Sequence, residues 1–367
     1  MKSTKRMVGL ALTLAMTVAV AACGGEQGSS GIVGEAEIET ANGLVINGEE
    51  IAPAELFETA KGQSLQLYSG YPEANEKEFL KQFTADTGIE VSLVRLQPNR
   101  LSERVLSEVG AGQLAADVLR TSDFRIVDSW SDAGVWQKYE TPPIEGATEI
   151  SLNDGDFTRT LAPAYSFGYN TNLVTAEEAP KSWADLTDPK WKGRIGIAQG
   201  GGGGGTAAIN RFWESQMGPD YMGKYAAHEP TIYEGVGPEL TAIARGEIAV
   251  GTATPAGVAI AAINDQAPVM FVVPEDGMVT FDVYTGITST TKNLEAAKVF
   301  LNYNMSKRGQ EIFVSLGDYS VDPAVEPPTV LDVQMPALDS GNVYRPSVAD
   351  IEHMDADVRK WTELFGY

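Results

Sequence analysis

From residue 64 onward the chain switches between two hydrophobic rhythms. Leu65-Gln66-Leu67-Tyr68 has the period of two that marks a strand, and Ser69-Gly70-Tyr71-Pro72 supplies turn residues. Residues 73–87 place Phe79, Leu80 and Phe83 at helical spacing, with Gly88 as the stop. Residues 89–96 return to alternation, residues 101–109 to the helical period, and Asp117-Val118-Leu119 is a short run of the buried-strand kind. Strand, helix, strand, helix, strand is the order of a parallel, doubly wound sheet.

A second unit follows. Residues 166–169, 195–198 and 248–251 are predicted strands, with helices over 206–216 and 238–244. Strands return at 269–273 and 284–287, before a strongly amphipathic helix over 294–305. A chain of this length exceeds one small core, so two α/β lobes are expected. Ahead of them, Asn42-Gly43 and Asn47-Gly48 flank a short strand at Leu44-Val45-Ile46, and Pro53 opens a brief helix through Ala60.

The first residues follow a different logic. Lys2, Lys5 and Arg6 precede an apolar stretch too short for a comfortable membrane span, and Val20-Ala21-Ala22-Cys23 resembles a lipobox. Residues 1–22 therefore read as a lipoprotein signal peptide and Cys23 as the lipidation site. Residues 23–60 read as a lipid-anchored tether, Gly/Ser-rich at its start, plus a short appendage. Cys23 is the only cysteine, so no internal disulfide is available. The formal net charge of −23 disfavours nucleic acid and anionic lipid surfaces, and its acids read as a solvated exterior.

One long string carries a resemblance: Ser182-Trp183-Ala184-Asp185-Leu186-Thr187-Asp188-Pro189-Lys190-Trp191-Lys192-Gly193-Arg194-Ile195-Gly196-Ile197. Tyr169-Asn170-Thr171, Arg245-Gly246-Glu247-Ile248 and Ser306-Lys307-Arg308-Gly309-Gln310 agree with it. Over residues 64–328 the chain resembles bacterial extracellular solute-binding proteins of the ferric-iron-binding type, with the periplasmic binding protein type 2 fold. The resemblance implies an α/β fold of two lobes, each a doubly wound, mostly parallel sheet, with a cleft between them that closes on solute. It places lobe 1 at 61–145 plus 275–335 and lobe 2 at 146–274 plus 336–367. It implies an ABC permease and its ATPase as partners, an exported monomer, and no cofactor. The iron-binding members' adjacent tyrosines are missing here, where the chain reads Thr252-Ala253-Thr254-Pro255-Ala256-Gly257.

Ligands of open α/β sheets bind beyond the carboxyl ends of strands. That rule selects Ser69 and Tyr71, then Arg120, Ser122 and Asp123, then the glycine run with Gly201, Gly202, Gly203, Gly204 and Thr206, then Thr252 and Thr254. Tyr284 and Tyr165 are candidate walls. The glycine run is either a bare-backbone anion cradle at a helix start or a flexible loop. Thr254 before Pro255 is a helix cap, a ligand contact, or both. Arg120 binds a ligand anion, or pairs with Asp123 or Glu73. The expected function is capture of a small polar, anionic solute (phosphonate, sugar phosphate or organic acid) by lobe closure. Ferric iron or a ferric chelate held by non-standard ligands, with Tyr71, Asp123 or Tyr284 assisting, is the alternative. A secreted hydrolase is the reading from another class. Against it, there is no G-x-S-x-G elbow and the only histidines are His228 and His353.

Overall fold

The computed structural model describes residues 33–147 and 149–367. The first half-sheet grows from β1 (Leu65–Ser69), β2 (Val91–Arg95) and β3 (Val118–Thr121). These run parallel in the order β2-β1-β3. Between them lie α1 (Glu73–Thr87) and α2 (Pro98–Gly110). The bounds of α1 match the sequence pattern because Gly88 adopts a left-handed φ of 75° and caps it.

After β3 comes α3 (Phe124–Asp132), where no element was predicted; Asp123 caps it by accepting from Arg125 N at 3.0 Å. The long strand β4 (Phe157–Asn170) was foreseen only at residues 166–169. All of it except Arg159 is buried, so the alternation that betrays a half-exposed strand is absent. Pro163 and Gly168 within it also argue locally against a central strand.

The second half-sheet is built from β5 (Ile195–Ala198), β6 (Thr231–Tyr233) and β7 (Val250–Pro255). These are parallel in the order β6-β5-β7. The helices α4 (Gly204–Gln216) and α5 (Val236–Arg245) lie between them, and α6 (Ala256–Asn264) follows β7. Then β8 (Met278–Thr280) and β9 (Val283–Thr288) lead into α7 (Leu294–Met305) and α8 (Lys307–Ser315).

β4 joins the two halves. Its first part pairs antiparallel with β9, as Leu161 with Val283. Its second part pairs with β7 and β8, as Ser166 with Thr254 and Ala164 with Thr280. The chain crosses at Pro163 and Ala164, and returns at Phe281 and Asp282. These two crossings between two parallel half-sheets make a two-lobed molecule joined by a short antiparallel waist.

Each lobe has its own core. In lobe 1, Phe79 stacks on Phe313 at 4.3 Å between ring centroids, beside Phe83, Phe300 and Tyr303. The appendage, with strands Gly43–Ile46 and Glu49–Pro53 and the helix Ala54–Ala60, adds Leu44, Ile51 and Phe57 to this core. In lobe 2, Trp213 stacks on Trp361 at 5.3 Å, beside Trp183 and Trp191. Trp361 comes from α9 (Val348–Phe365), also unpredicted, although Ile351, Met354, Val358, Trp361 and Phe365 have helical spacing behind a Ser347–Asp350 capping box.

Candidate functional site

Between the lobes lies a cavity of about 1010 Å3 of empty space, part of it open to solvent. Its lobe 1 wall is the β1–α1 turn (Gly70, Pro72, Glu73, Ala74), the end of β2 with the start of α2 (Arg95, Gln97, Pro98), and Ser122 after β3. Its lobe 2 wall is Tyr165 on β4, the start of α4 (Gly202, Gly203, Gly205, Thr206), the start of α5 (Gly235 to Pro238), and Pro255 and Val258 around the start of α6. Nearly all are carboxyl ends of strands or amino ends of helices, where unpaired N–H groups and the helix dipole favour negative charge.

The glycine run lets the lobes meet. A short 3₁₀ turn, Gly200–Gly202, precedes α4. A β-carbon on Gly204 would stand 1.8 Å from the Ser122 carbonyl oxygen, and one on Gly203 would stand 3.0 Å from Pro98. A β-carbon on Gly205 would press on Tyr165 at 2.8 Å and Phe281 at 2.9 Å. Only Gly201 faces solvent, with its nearest neighbour, Val358, at 3.5 Å from such an atom. The loop is held from behind: the Thr206 hydroxyl donates to Gly200 O (3.1 Å) and Gly203 O (3.0 Å), and Gly200 N donates to the Tyr367 hydroxyl at 2.8 Å.

Of the residues singled out in the sequence, Ser122, Tyr165, Gly202, Gly203 and Thr206 line the cleft, and Gly204 lies at the lobe contact beside it. Others are placed elsewhere. Arg120 is fully buried inside β3, with Nη1 2.6 Å from Glu76 Oε1, Nε 3.1 Å from Thr285 Oγ1, and Nη2 bonded to Asn304 Oδ1. Its partner is Glu76 rather than Asp123 or Glu73, and every edge of the guanidinium is used. The Ser69 hydroxyl donates to Glu76, and the Tyr71 hydroxyl donates to Asp318 inside lobe 1. Asp123 is engaged as helix cap and ion-pairs Arg125 at 2.6 Å.

In lobe 2, Thr252 is buried against Glu239, its N–H donating at 2.7 Å. Thr254 lies within β7 facing Gly168, two residues before α6, so it does not cap that helix. Tyr284 lines a different cavity, with Arg159, Asp282 and Arg345.

Arg95 is the functional candidate that sequence reasoning passed over. It ends β2, half-buried in the cleft wall, with Nε donating to Tyr71 O at 3.1 Å. Among the described residues no carboxylate stands within ion-pair distance of it. Burial lowers its pKa, while Tyr165, Glu73 and Glu76 oppose that from further off; a guanidinium stays charged regardless. Glu73, the other charged residue of the cleft, is exposed and engaged with Lys77 at 2.5 Å, which lowers its pKa. The strand-end rule covered Arg95, but nothing local distinguishes it from Arg120.

Two buried carboxyls make stability pH-dependent. Asp318, beneath Tyr71, is pushed up to about 7 by burial, and so is Glu239. A carboxyl whose folded pKa is raised favours folding below its unfolded value and loses that contribution as pH rises through the folded value. Calorimetry should therefore show a lower Tm at pH 8 than at pH 5, and Asp318→Asn with Glu239→Gln should flatten that slope. An unchanged slope would contradict these assignments.

The lobes are also tied at their rim. Arg125 of lobe 1 ion-pairs Asp355 on α9, which packs against α4 in lobe 2. Asp355→Asn should weaken solute binding about two- to fivefold at low salt and hardly at all at high salt, since an exposed pair contributes about 0–1 kcal/mol. A salt-independent effect would contradict a closing role for this pair.

Residues 116–342 match the family described as bacterial extracellular solute-binding protein. The chain belongs to that family. Iron uptake protein A1 of Synechocystis sp. is 34% identical over 135 residues, which is 36% of this chain and 37% of that relative. A substrate-binding protein of an ABC transporter from Agrobacterium tumefaciens superposes with a TM-score of 0.72 at 19% identity, over 83% of this chain and 94% of that one. The periplasmic binding protein AfuA from Actinobacillus pleuropneumoniae, solved with fructose-6-phosphate bound, does so with a TM-score of 0.65 at 21% identity, over 83% and 99%. The solute-binding protein thus has the type 2 periplasmic binding fold. By its description that family consists of extracellular proteins that bind a solute. Among the described residues no helix is long and apolar enough to cross a membrane, and Cys23 lies outside them.

Proposed function

We propose that this solute-binding protein captures a small anionic solute between its lobes, delivers it to an ABC permease, and performs no chemistry on it. The observation that carries this reading is Arg95: a guanidinium in the cleft wall, held by a backbone carbonyl, with no carboxylate partner among the described residues of a chain of net charge −23. The start of α4 supports it by offering N–H groups without side chains in the way. Lipid on Cys23 would keep the protein at the membrane, as a monomer. The iron named for one relative enters this reading only as an anionic ferric chelate. Among the described residues no group of three or more His, Cys, Asp or Glu could hold a metal ion.

A thermal-shift and titration panel of phosphate esters, phosphonates, carboxylates and ferric chelates tests the reading. At a hundredfold ligand excess over Kd the stabilisation is about 2.7 kcal/mol. Arg95→Gln should weaken the best anion by about 10- to 100-fold, the worth of one charged hydrogen-bonding group. Silence across the panel, or full affinity in Arg95→Gln, would overturn it.

A further inference from the structure

The cleft is strongly uneven. Its two charged side chains, Glu73 and Arg95, both come from lobe 1. Lobe 2 contributes glycine backbone, Thr206, Tyr165 and the apolar Val236, Pro238, Pro255 and Val258. The Thr206 hydroxyl is already donated to the carbonyls of Gly200 and Gly203.

The helix starts differ in the same way. Pro98 is the first residue of α2, Pro238 the third of α5, and Pro255 directly precedes α6. Each proline replaces one N–H by ring carbons, so hydrocarbon faces the cavity at these three points, although Val236 and Gly237 keep their N–H groups at the start of α5. The start of α4, with Gly203, Gly204 and Gly205 ahead of Thr206, keeps its donors. The cavity thus has a place for a charged head near Arg95 and α4, while the part of its wall made by Val236, Val258 and the prolines carries no side-chain group to pair a row of hydroxyls. Polyol hydroxyls pressed against Val236, Val258 and the prolines would lose water without replacement, whereas a hydrocarbon body would gain from that burial.

Resting on the anion reading above, we propose that the solute is an anion with a single charged head and a compact hydrocarbon body, aromatic or branched, rather than a polyhydroxylated phosphate. The shared chemistry is the body; the head is a phosphonate or a carboxylate.

Isothermal titration decides it with two matched series: methylphosphonate against phenylphosphonate, and acetate against phenylacetate, with fructose 6-phosphate and inorganic phosphate alongside. The expected result is at least tenfold tighter binding of the phenyl member within the series whose head fits, and weaker binding of fructose 6-phosphate. Val258→Asn should move the phenyl-to-methyl ratio toward one. Fructose 6-phosphate binding as tightly as the phenyl compound, or a ratio of one in the wild-type protein, would overturn the proposal while leaving anion capture standing. A ratio unmoved by Val258→Asn would also overturn this assignment of the lobe 2 wall. No binding by any anion would remove the anion reading and this inference together.

Discussion

Gly204→Val is expected to abolish solute capture while leaving both lobes folded. The site of the clash makes this the largest binding effect in the molecule. A β-carbon at Gly204 would lie 1.8 Å from the Ser122 carbonyl oxygen and 2.7 Å from its carbonyl carbon. Backbone cannot rotate aside as a side-chain tip can. Gly204 belongs to lobe 2 and Ser122 to lobe 1, so opening the cleft relieves the overlap and folding does not need to fail. A ligand that requires the closed form then loses affinity in proportion to the closed population. A loss on the order of 100-fold or more follows if the clash costs about 3 kcal/mol. Titration should show it, with circular dichroism and unliganded Tm close to wild type. Gly201→Ala is the control: its β-carbon meets only Val358 at 3.5 Å, so affinity should hold. Equal affinity in Gly204→Val and the wild type would show that capture does not need this lobe contact.

Arg120→Ala should produce the largest loss of stability, about 3–5 kcal/mol, because it leaves Glu76 buried and unpaired. Glu76 has no exposed surface, and burial already raises its pKa against the pull of Arg120. The same guanidinium holds Thr285 on β9 and Asn304 on α7, so its removal loosens three elements of lobe 1. Chemical denaturation should show a large fall in midpoint, most of it recovered in Arg120→Met with Glu76→Gln, which removes both charges. A shift under about 1 kcal/mol would contradict the buried-pair account. The contrast with Arg95→Gln is diagnostic: one arginine should govern stability and the other affinity.

That contrast shows where sequence reading stops. Both arginines end or nearly end strands of the same sheet, and both were within reach of the strand-end rule. What separates them is which face they take and what packs there. Arg120 shares its face with Val118, under Phe79 and Phe313, where Glu76 waits one turn into α1. Arg95 sits on β2 at the end of the strand order, where its head reaches Tyr71 O and the cavity. Only the three-dimensional arrangement supplies that difference.

Elements with strong local punctuation were legible. The helices at 73–87 and 294–305 appear with the bounds their patterns gave, and so does the strand at 195–198. The glycine run was marked as unusual, but its reason is non-local: it meets Ser122, Pro98, Tyr165 and Phe281 from distant parts of the chain. β4 before residue 166 escaped because burial on both faces erases the alternating pattern. β7 runs on through Thr254 and Pro255 because pairing with Ser166 and Tyr165 on β4 outweighs the capping signal those residues carry locally.

The central claim is that an anion closes the cleft by bridging Arg95 and the start of α4. A crystal structure of the protein with its tightest-binding anion tests it most directly. The account predicts the charged head within hydrogen-bond distance of the Arg95 guanidinium and of backbone N–H groups among Gly203, Gly204 and Gly205, with the lobes in contact at Gly204 and Ser122. An anion seated instead beside Arg159, Tyr284 and Arg345, or one bound in the cleft with Arg95 turned away, would contradict it.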